Sequence, residues 1–278
     1  MSIMAAIAGA TPFIVNTQGQ KPLSPAVVTL NDVTKVYETA SGGTVHALSK
    51  INLAIRGAEF VSVIGASGCG KTTLLRIIGG LEDGFGGELV LSGRKGGGPS
   101  KDVGIVFQDA NLLPWRTILQ NVLLPAQVLR LDKQASLARA HELIELVGLK
   151  GFEDKYPFEL SGGMRQRISI ARALIHDPSV LLMDEPFGAL DALTREVMNA
   201  EVLKIWDATK KTVFMITHSI TEAVFMSDRV IVMSPRPGRV IAEVDIALPR
   251  PRHIGMLSEE KFGAYTGKLR RLLDVGAD

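Results

Sequence analysis

A glycine-rich segment with one lysine and two threonines is the first feature of the chain that could do chemistry. It reads G-A-S-G-C-G-K-T-T over residues 65–73 and follows the apolar run 60–64. The spacing G-x-x-x-x-G-K-[ST], between a strand and a helix, is typical of a loop whose backbone N–H groups hold phosphates. Lys71 is expected to reach the β- and γ-phosphates, and the Thr72 hydroxyl is expected to ligate Mg²⁺. The predicted nucleotide-binding residues are Gly65, Ala66, Ser67, Gly68, Cys69, Gly70, Lys71, Thr72 and Thr73.

Two carboxylates follow a second apolar run, V-L-L-M at residues 180–183. A strand that ends in acidic residues can hold them at the same edge of a parallel sheet as the phosphate loop. Asp184 is then placed to hold Mg²⁺ together with Thr72. Glu185 is placed to orient and deprotonate an attacking water. The pair therefore predicts hydrolysis of the bound nucleotide.

A second segment that suits anion binding reads L-S-G-G-M-R-Q-R over residues 160–167. Ser161 can cap the following helix, while Gly162 and Gly163 allow the backbone to approach a ligand closely. The first loop already accounts for the phosphates of one nucleotide. The second helix start therefore suggests phosphates that are presented by another molecule.

With these motifs, the chain resembles the ATP-binding subunit of an ABC transporter over about residues 26–238. The resemblance implies ATP and Mg²⁺ as ligands. It also implies that two copies meet head to tail and enclose two ATP molecules. The phosphate loop of each copy then faces Ser161, Gly162 and Gly163 of the other, so hydrolysis requires the dimer.

The same resemblance assigns roles to single residues outside these motifs. Tyr37 matches the aromatic residue that stacks on adenine, with ordinary core packing as the alternative. Gln108 matches the glutamine that joins the Mg²⁺ site to the membrane partner, and it is included among the metal ligands. Asp191 matches the carboxylate of the segment that crosses the dimer seam. His218 matches the histidine that contacts the γ-phosphate.

The expected catalytic set is therefore Glu185, His218, Gln108 and Asp191. Gly188 departs from the serine that many family members carry at this position. The hydrogen bonding at the seam is left open by that difference.

Alternating strands and helices must position these residues. Apolar runs predict strands near 27–30, 51–55, 60–64, 88–91, 103–107, 180–183, 213–216 and 229–233, with helices at 71–78 and 190–209. This order predicts an α/β fold with a mostly parallel sheet. The resemblance makes it a P-loop NTPase of the ABC ATPase type, with an antiparallel β subdomain and a helical subdomain inserted at about 110–175. We expect an N-terminal tail at 1–26, the ATPase domain at 27–238 and a short C-terminal extension at 239–278.

Composition excludes several other classes of protein. Lys and Arg number 31 against 29 Asp and Glu, so the charge predicts no nucleic-acid partner. The single cysteine excludes an internal disulfide. Apolar runs stay shorter than the roughly 18 residues of a transmembrane helix. Lys21 is the first basic residue, so we expect a loose tail rather than a cleaved leader before it.

The short basic stretch at 235–252 most resembles the nitrate, sulfonate and taurine importers. That resemblance implies a second copy of the chain, two transmembrane permease subunits and, indirectly, a periplasmic solute-binding protein. The expected location is the cytoplasmic face of the inner membrane, as a peripheral subunit. The segment 111–115 would either dock a permease helix or pack within the helical subdomain. Importers of an unrelated solute, and soluble ABC-type ATPases that act on nucleic acid or ribosomes, are the alternatives.

Overall fold

The computed structural model describes residues 24–40, 42–188 and 190–275 of the chain. Most of the tail predicted for 1–26 lies outside these ranges. The strands are β1 Ala26–Glu38, β2 Thr44–Arg56, β3 Phe60–Gly65, β4 Gly86–Leu91, β5 Arg94–Lys95, β6 Val103–Val106, β7 Val180–Asp184, β8 Thr212–Ile216, β9 Arg229–Met233 and β10 Val240–Asp245. The α-helices are α1 Lys71–Ile78, α2 Ile118–Val122, α3 Leu124–Val128, α4 Lys133–Leu146, α5 Gly162–Leu174, α6 Ala192–Thr209, α7 Ile220–Met226 and α8 Glu260–Val275.

The central sheet has six strands in the order β10-β9-β3-β8-β7-β6. All neighbours are parallel except β9 and β10, which confirms the predicted, mostly parallel core. The apolar residues of β3 alternate between two cores: Phe60 and Ile64 face one, while Val61 and Val63 face the other. Burial on both faces is why such a strand is a continuous apolar run rather than an alternating one.

A second sheet, with the antiparallel order β2-β1-β4-β5, covers one side of the molecule. Leu30 of β1 is paired with Leu53 of β2 and with Leu89 of β4. These side chains share a core with Leu74 and Ile78 of α1, so the helix that follows the phosphate loop lies between the two sheets. The antiparallel β subdomain expected from the resemblance is thus present.

Helices α2 to α5 lie between β6 and β7 in the chain, and Asn121 organises the start of this segment. The Asn121 side chain is fully buried. Its Nδ2 donates to the carbonyls of Leu113, Arg116 and Thr117, and its Oδ1 accepts from the Leu113 N–H at 2.7 Å. The segment 111–117 is therefore held firmly, yet the side chain of Trp115 is 71% exposed.

Arg252 joins the C-terminal segment to the core. Arg252 is 8% exposed, and its Nη1 donates to the carbonyls of Val224 and Phe225 at 3.0 and 2.9 Å. These carbonyls lie in the last turn of α7, where backbone acceptors lack partners within the helix. Burial lowers the pKa of Arg252 to about 10. Because β10 also pairs with β9, the central sheet continues beyond residue 238.

None of the helices within the described ranges combines the length and the hydropathy that a bilayer span requires.

Candidate functional site

The carboxyl ends of three neighbouring strands bring the predicted chemistry together at one edge of the central sheet. β3 leads into the phosphate loop, β7 ends at Asp184, and β8 is followed by His218. Ligands bind outside this edge in open α/β sheets. A cavity of about 250 Å³ lies here, lined by Tyr37, Val45, Ala47, Ser67, Gly68, Gly70, Lys71, Thr72, Thr73, Glu185, His218 and Arg236.

The phosphate loop has the backbone conformation that its glycines permit. Gly68 and Gly70 have φ angles of 72° and 103°, which an L side chain would strain. α1 begins directly after Gly70 with Lys71, whose Nζ donates to the carbonyls of Gly65 and Ala66 at 2.9 and 3.0 Å. The ammonium group is therefore already held inside the loop, next to the N-terminus of a helix.

Tyr37 is one of the residues that line the same cavity. The ring is half-buried, and its hydroxyl donates to Thr73 Oγ1 at 3.4 Å. Lys35 Nζ lies 4.8 Å from the ring centroid. Cys69 is not among the described lining residues: its side chain is 1% exposed and packs in the core between the two sheets.

Two neighbouring carboxylates, Asp184 and Glu185, follow each other at the end of β7, and Glu185 lines the cavity. Thr72 Oγ1 donates to Asp184 Oδ1 at 3.4 Å, and burial together with the charge of Glu185 raises the pKa of Asp184. Glu185 Oε1 lies 2.5 Å from His218 Nε2, so the imidazole can donate a hydrogen bond that orients this carboxylate. Glu185 has a φ of 46°, a left-handed conformation that is uncommon for a residue other than glycine.

Gln108 lies outside the lining of this cavity, as the described residues define it. It is exposed and follows β6. A Cβ at Gly188 would lie 3.3 Å from Gln108 Nε2. Gly188 therefore leaves room for the glutamine amide beside the turn that follows Glu185.

The residues Ser161, Gly162 and Gly163 face a second cavity of about 440 Å³, which also includes Leu190 and Asp191. Ser161 caps α5 by accepting from the Met164 N–H at 3.3 Å. Asp191 caps α6 by accepting from the Thr194 N–H at 3.0 Å, and hydrogen bonds from Thr194 lower the pKa of Asp191. Among the described residues, the two cavities share no lining residue.

Sequence reasoning missed three residues of the first cavity: Val45, Ala47 and Arg236. Arg236 donates from Nε and Nη2 to the carbonyl of Gly68 at 3.2 and 3.1 Å. The turn Pro-Arg-Pro-Gly after an apolar strand was visible in the sequence, but only as part of a basic stretch. A contact between residues 168 positions apart carries no local signal.

The fold and the site define a P-loop ATP-binding cassette. The family model of the ABC transporter matches residues 48–188. An aliphatic sulfonates import ATP-binding protein of Bacillus cereus is 46% identical, over 90% of this chain and 96% of that protein. A taurine import ATP-binding protein of Rhizobium johnstonii is 52% identical, over 75% and 80%. A dimeric ATP-binding cassette in a post-hydrolysis state, bound to ADP and Pi, superposes with a TM-score of 0.68, at 35% identity and over 80% of this chain and 100% of that one.

The chain belongs to the ABC transporter family, as one of its ATP-binding, ATP-hydrolysing proteins.

Proposed function

We propose that this chain is the ATPase subunit of an importer for aliphatic sulfonates, taurine, nitrate or a similar small solute. The support for the solute class is the likeness to sulfonate and taurine import proteins at 46% and 52% identity. One structural observation carries the mechanism: the phosphate-loop cavity and the Ser161 cavity are separate on one chain. Each cavity is one half of an ATP site that a second copy completes.

The surface beside the Ser161 cavity supports a partner copy. Leu193 and Val197 of α6 are 76% and 54% exposed, and Val197 also lines that cavity. Exposed apolar residues next to a concave site are typical of a protein interface. Ser161, Gly162 and the N-terminus of α5 would then receive the phosphates that the partner's loop presents.

Within one half-site, Lys71 would neutralise the β- and γ-phosphates and Tyr37 would stack on adenine. Glu185 would orient and deprotonate the attacking water, with His218 holding its carboxylate. Asp191 would place its carboxylate at the seam between the two copies. Catalysis in this arrangement is mostly positioning and neutralisation of phosphate charge.

The oxygen donors at Thr72 and Asp184 fit Mg²⁺, which prefers carboxylate and hydroxyl oxygens. Burial, followed by the charge of Glu185, raises the pKa of Asp184, and a cation there would favour the charged form of this carboxylate. Thr72, Asp184 and, by resemblance, Gln108 would hold the ion. When bound, Mg²⁺ supplies further neutralisation of phosphate charge.

The proposed assembly contains two copies of the chain and two transmembrane permease subunits, with a periplasmic solute-binding protein acting from the other side. The chain would lie at the cytoplasmic face of the inner membrane. Trp115 is exposed on a segment that Asn121 holds rigid, while Leu112 packs against the core. The segment therefore suits a docked permease helix at Trp115 and internal packing at Leu112.

The test compares wild type, Glu185→Gln and Ser161→Arg by light scattering with and without MgATP. We expect Glu185→Gln to bind ATP, lose turnover and form a stable dimer, because the two half-sites close but the water is not deprotonated. Ser161→Arg should bind ATP as a monomer and hydrolyse none, because the arginine fills the receiving half-site. Hydrolysis by a Ser161→Arg monomer would contradict the shared site.

The importer assignment is tested by co-purification with permease subunits and by uptake in cells. Cells that carry the intact transporter should take up at least one of taurine, alkanesulfonates or nitrate. Glu185→Gln should abolish that uptake. Co-purification with ribosomes or nucleic acid instead would favour the soluble alternative.

A further inference from the structure

Arg236 lies in the turn 234–239 between β9 and β10, and its guanidinium covers the phosphate loop. Both of its hydrogen bonds go to one atom, the carbonyl oxygen of Gly68. The same side chain lines the cavity that holds Lys71, Thr72 and Tyr37. A cation from outside the phosphate-loop motif therefore faces the space that the nucleotide occupies.

The backbone of this turn is fixed on both sides, which places Arg236 in advance. Ser234 Oγ accepts from the Arg239 N–H at 3.1 Å, and the Ser234 N–H donates to the Arg239 carbonyl at 2.9 Å. The Gly238 N–H donates to the carbonyl of Ala47 at 2.9 Å. A Cβ at residue 238 would lie 2.1 Å from a carbonyl oxygen of the phosphate loop, so the two loops are in direct backbone contact. Because the backbone is already fixed, only the side chain loses entropy when it binds a ligand.

The charges around the cavity leave Arg236 with a weak partner. Among the described lining residues, the permanent cations are Lys71 and Arg236, and the carboxylate is Glu185. Arg236 is exposed and forms no ion pair with a carboxylate in the described part of the chain. A neutral carbonyl oxygen accepts weaker hydrogen bonds from a guanidinium group than a phosphate does, because a phosphate accepts two charge-assisted hydrogen bonds from it.

We propose that Arg236 is a second cationic ligand for the polyphosphate of the bound nucleotide. Its guanidinium rests on the Gly68 carbonyl and exchanges this acceptor for a phosphate oxygen when the nucleotide enters. The backbone stays in place and only the side chain turns. The inference rests on the nucleotide site proposed around Lys71.

The test measures binding of the non-hydrolysable analogue MgAMP-PNP to the full chain by calorimetry. Arg236→Gln can still donate to the Gly68 carbonyl but carries no charge. We expect it to bind about tenfold more weakly than wild type, as expected for the loss of one charge-assisted contact. Arg236→Lys keeps the charge but loses the fork, so it should bind more tightly than Arg236→Gln and more weakly than wild type. The matched control, Arg239→Gln in the same turn, should bind like wild type.

Varying the ionic strength distinguishes a charged contact with phosphate from a neutral contact that supports the loop. The ratio of wild-type to Arg236→Gln affinity should shrink as ionic strength rises, because a phosphate contact is screened. Wild-type affinity in Arg236→Gln would overturn the proposal. The proposal would also be overturned if Arg236→Ala bound the nucleotide more weakly while Arg236→Gln bound it like wild type. A neutral hydrogen bond to the Gly68 carbonyl would then be sufficient. Lys71→Ala tests the site itself: unchanged binding there would overturn the nucleotide site, whereas a loss there with normal Arg236 variants overturns only the role of Arg236.

Discussion

Glu222 on α7 is a buried acid, and it should make the stability of this protein depend on pH near neutrality. The side chain is 4% exposed, and burial is the main reason why its pKa is raised to about 7. Burial and Glu185 raise the pKa, whereas Thr217 and Arg195 lower it. In the described part of the chain, its Oε1 has no hydrogen-bond partner.

The sign follows from proton binding. The folded state binds the proton of Glu222 more tightly than the unfolded state does, where the pKa is near its ordinary value of 4.5. The free energy of unfolding should therefore fall as the pH rises from about 4.5 to about 7, and stay low above that. A rise in pKa of this size corresponds to about 3 kcal/mol.

The perturbation is Glu222→Gln, which has the shape of the neutral acid but cannot ionise. The free energy of unfolding of Glu222→Gln minus that of wild type should be about 2–3 kcal/mol larger at pH 8.5 than at pH 5. Urea unfolding at both pH values measures this, and the exposed Glu259→Gln serves as control. An equal difference between wild type and Glu222→Gln at both pH values would refute the reasoning, because no proton would then be taken up by Glu222 on folding.

Two further substitutions test the packing that supports the site. Arg229→Met should cost about 3–5 kcal/mol in urea unfolding, because it leaves the buried carboxylate of Glu59 without its bidentate partner. The more exposed Glu243→Gln, which also loses a contact with Arg229, should cost less than about 1 kcal/mol, and equal losses would contradict this. Gly238→Ala should weaken MgAMP-PNP binding and lower stability by about 1–3 kcal/mol, because its Cβ would meet a phosphate-loop carbonyl at 2.1 Å. Gly97→Ala, with open space around its Cβ, should bind like wild type, and a normal Gly238→Ala would contradict the backbone contact.

The elements best predicted from the sequence have strong local signals. α1 begins at Lys71 after a left-handed glycine and ends before Gly79, as the pattern indicates. β9 was predicted at its observed bounds, 229–233, because it is a short apolar run. The first two strands are longer than predicted, since each continues through polar residues that only pairing with the neighbouring strand stabilises.

Some residues of the candidate site could likewise be predicted from local sequence, and others could not. Contiguous residues such as Lys71 and Thr72 were identified by spacing alone, because a loop that surrounds a phosphate needs its glycines and its lysine at fixed intervals along the chain. The order of strands then decided which distant residues join them, and it brought Glu185 to within 2.5 Å of His218. The position of Arg236 over the loop, and the separation of the Ser161 cavity from it, depend on packing between elements far apart in sequence. Only tertiary structure decides such contacts, because no local pattern of residue types records which surfaces will meet.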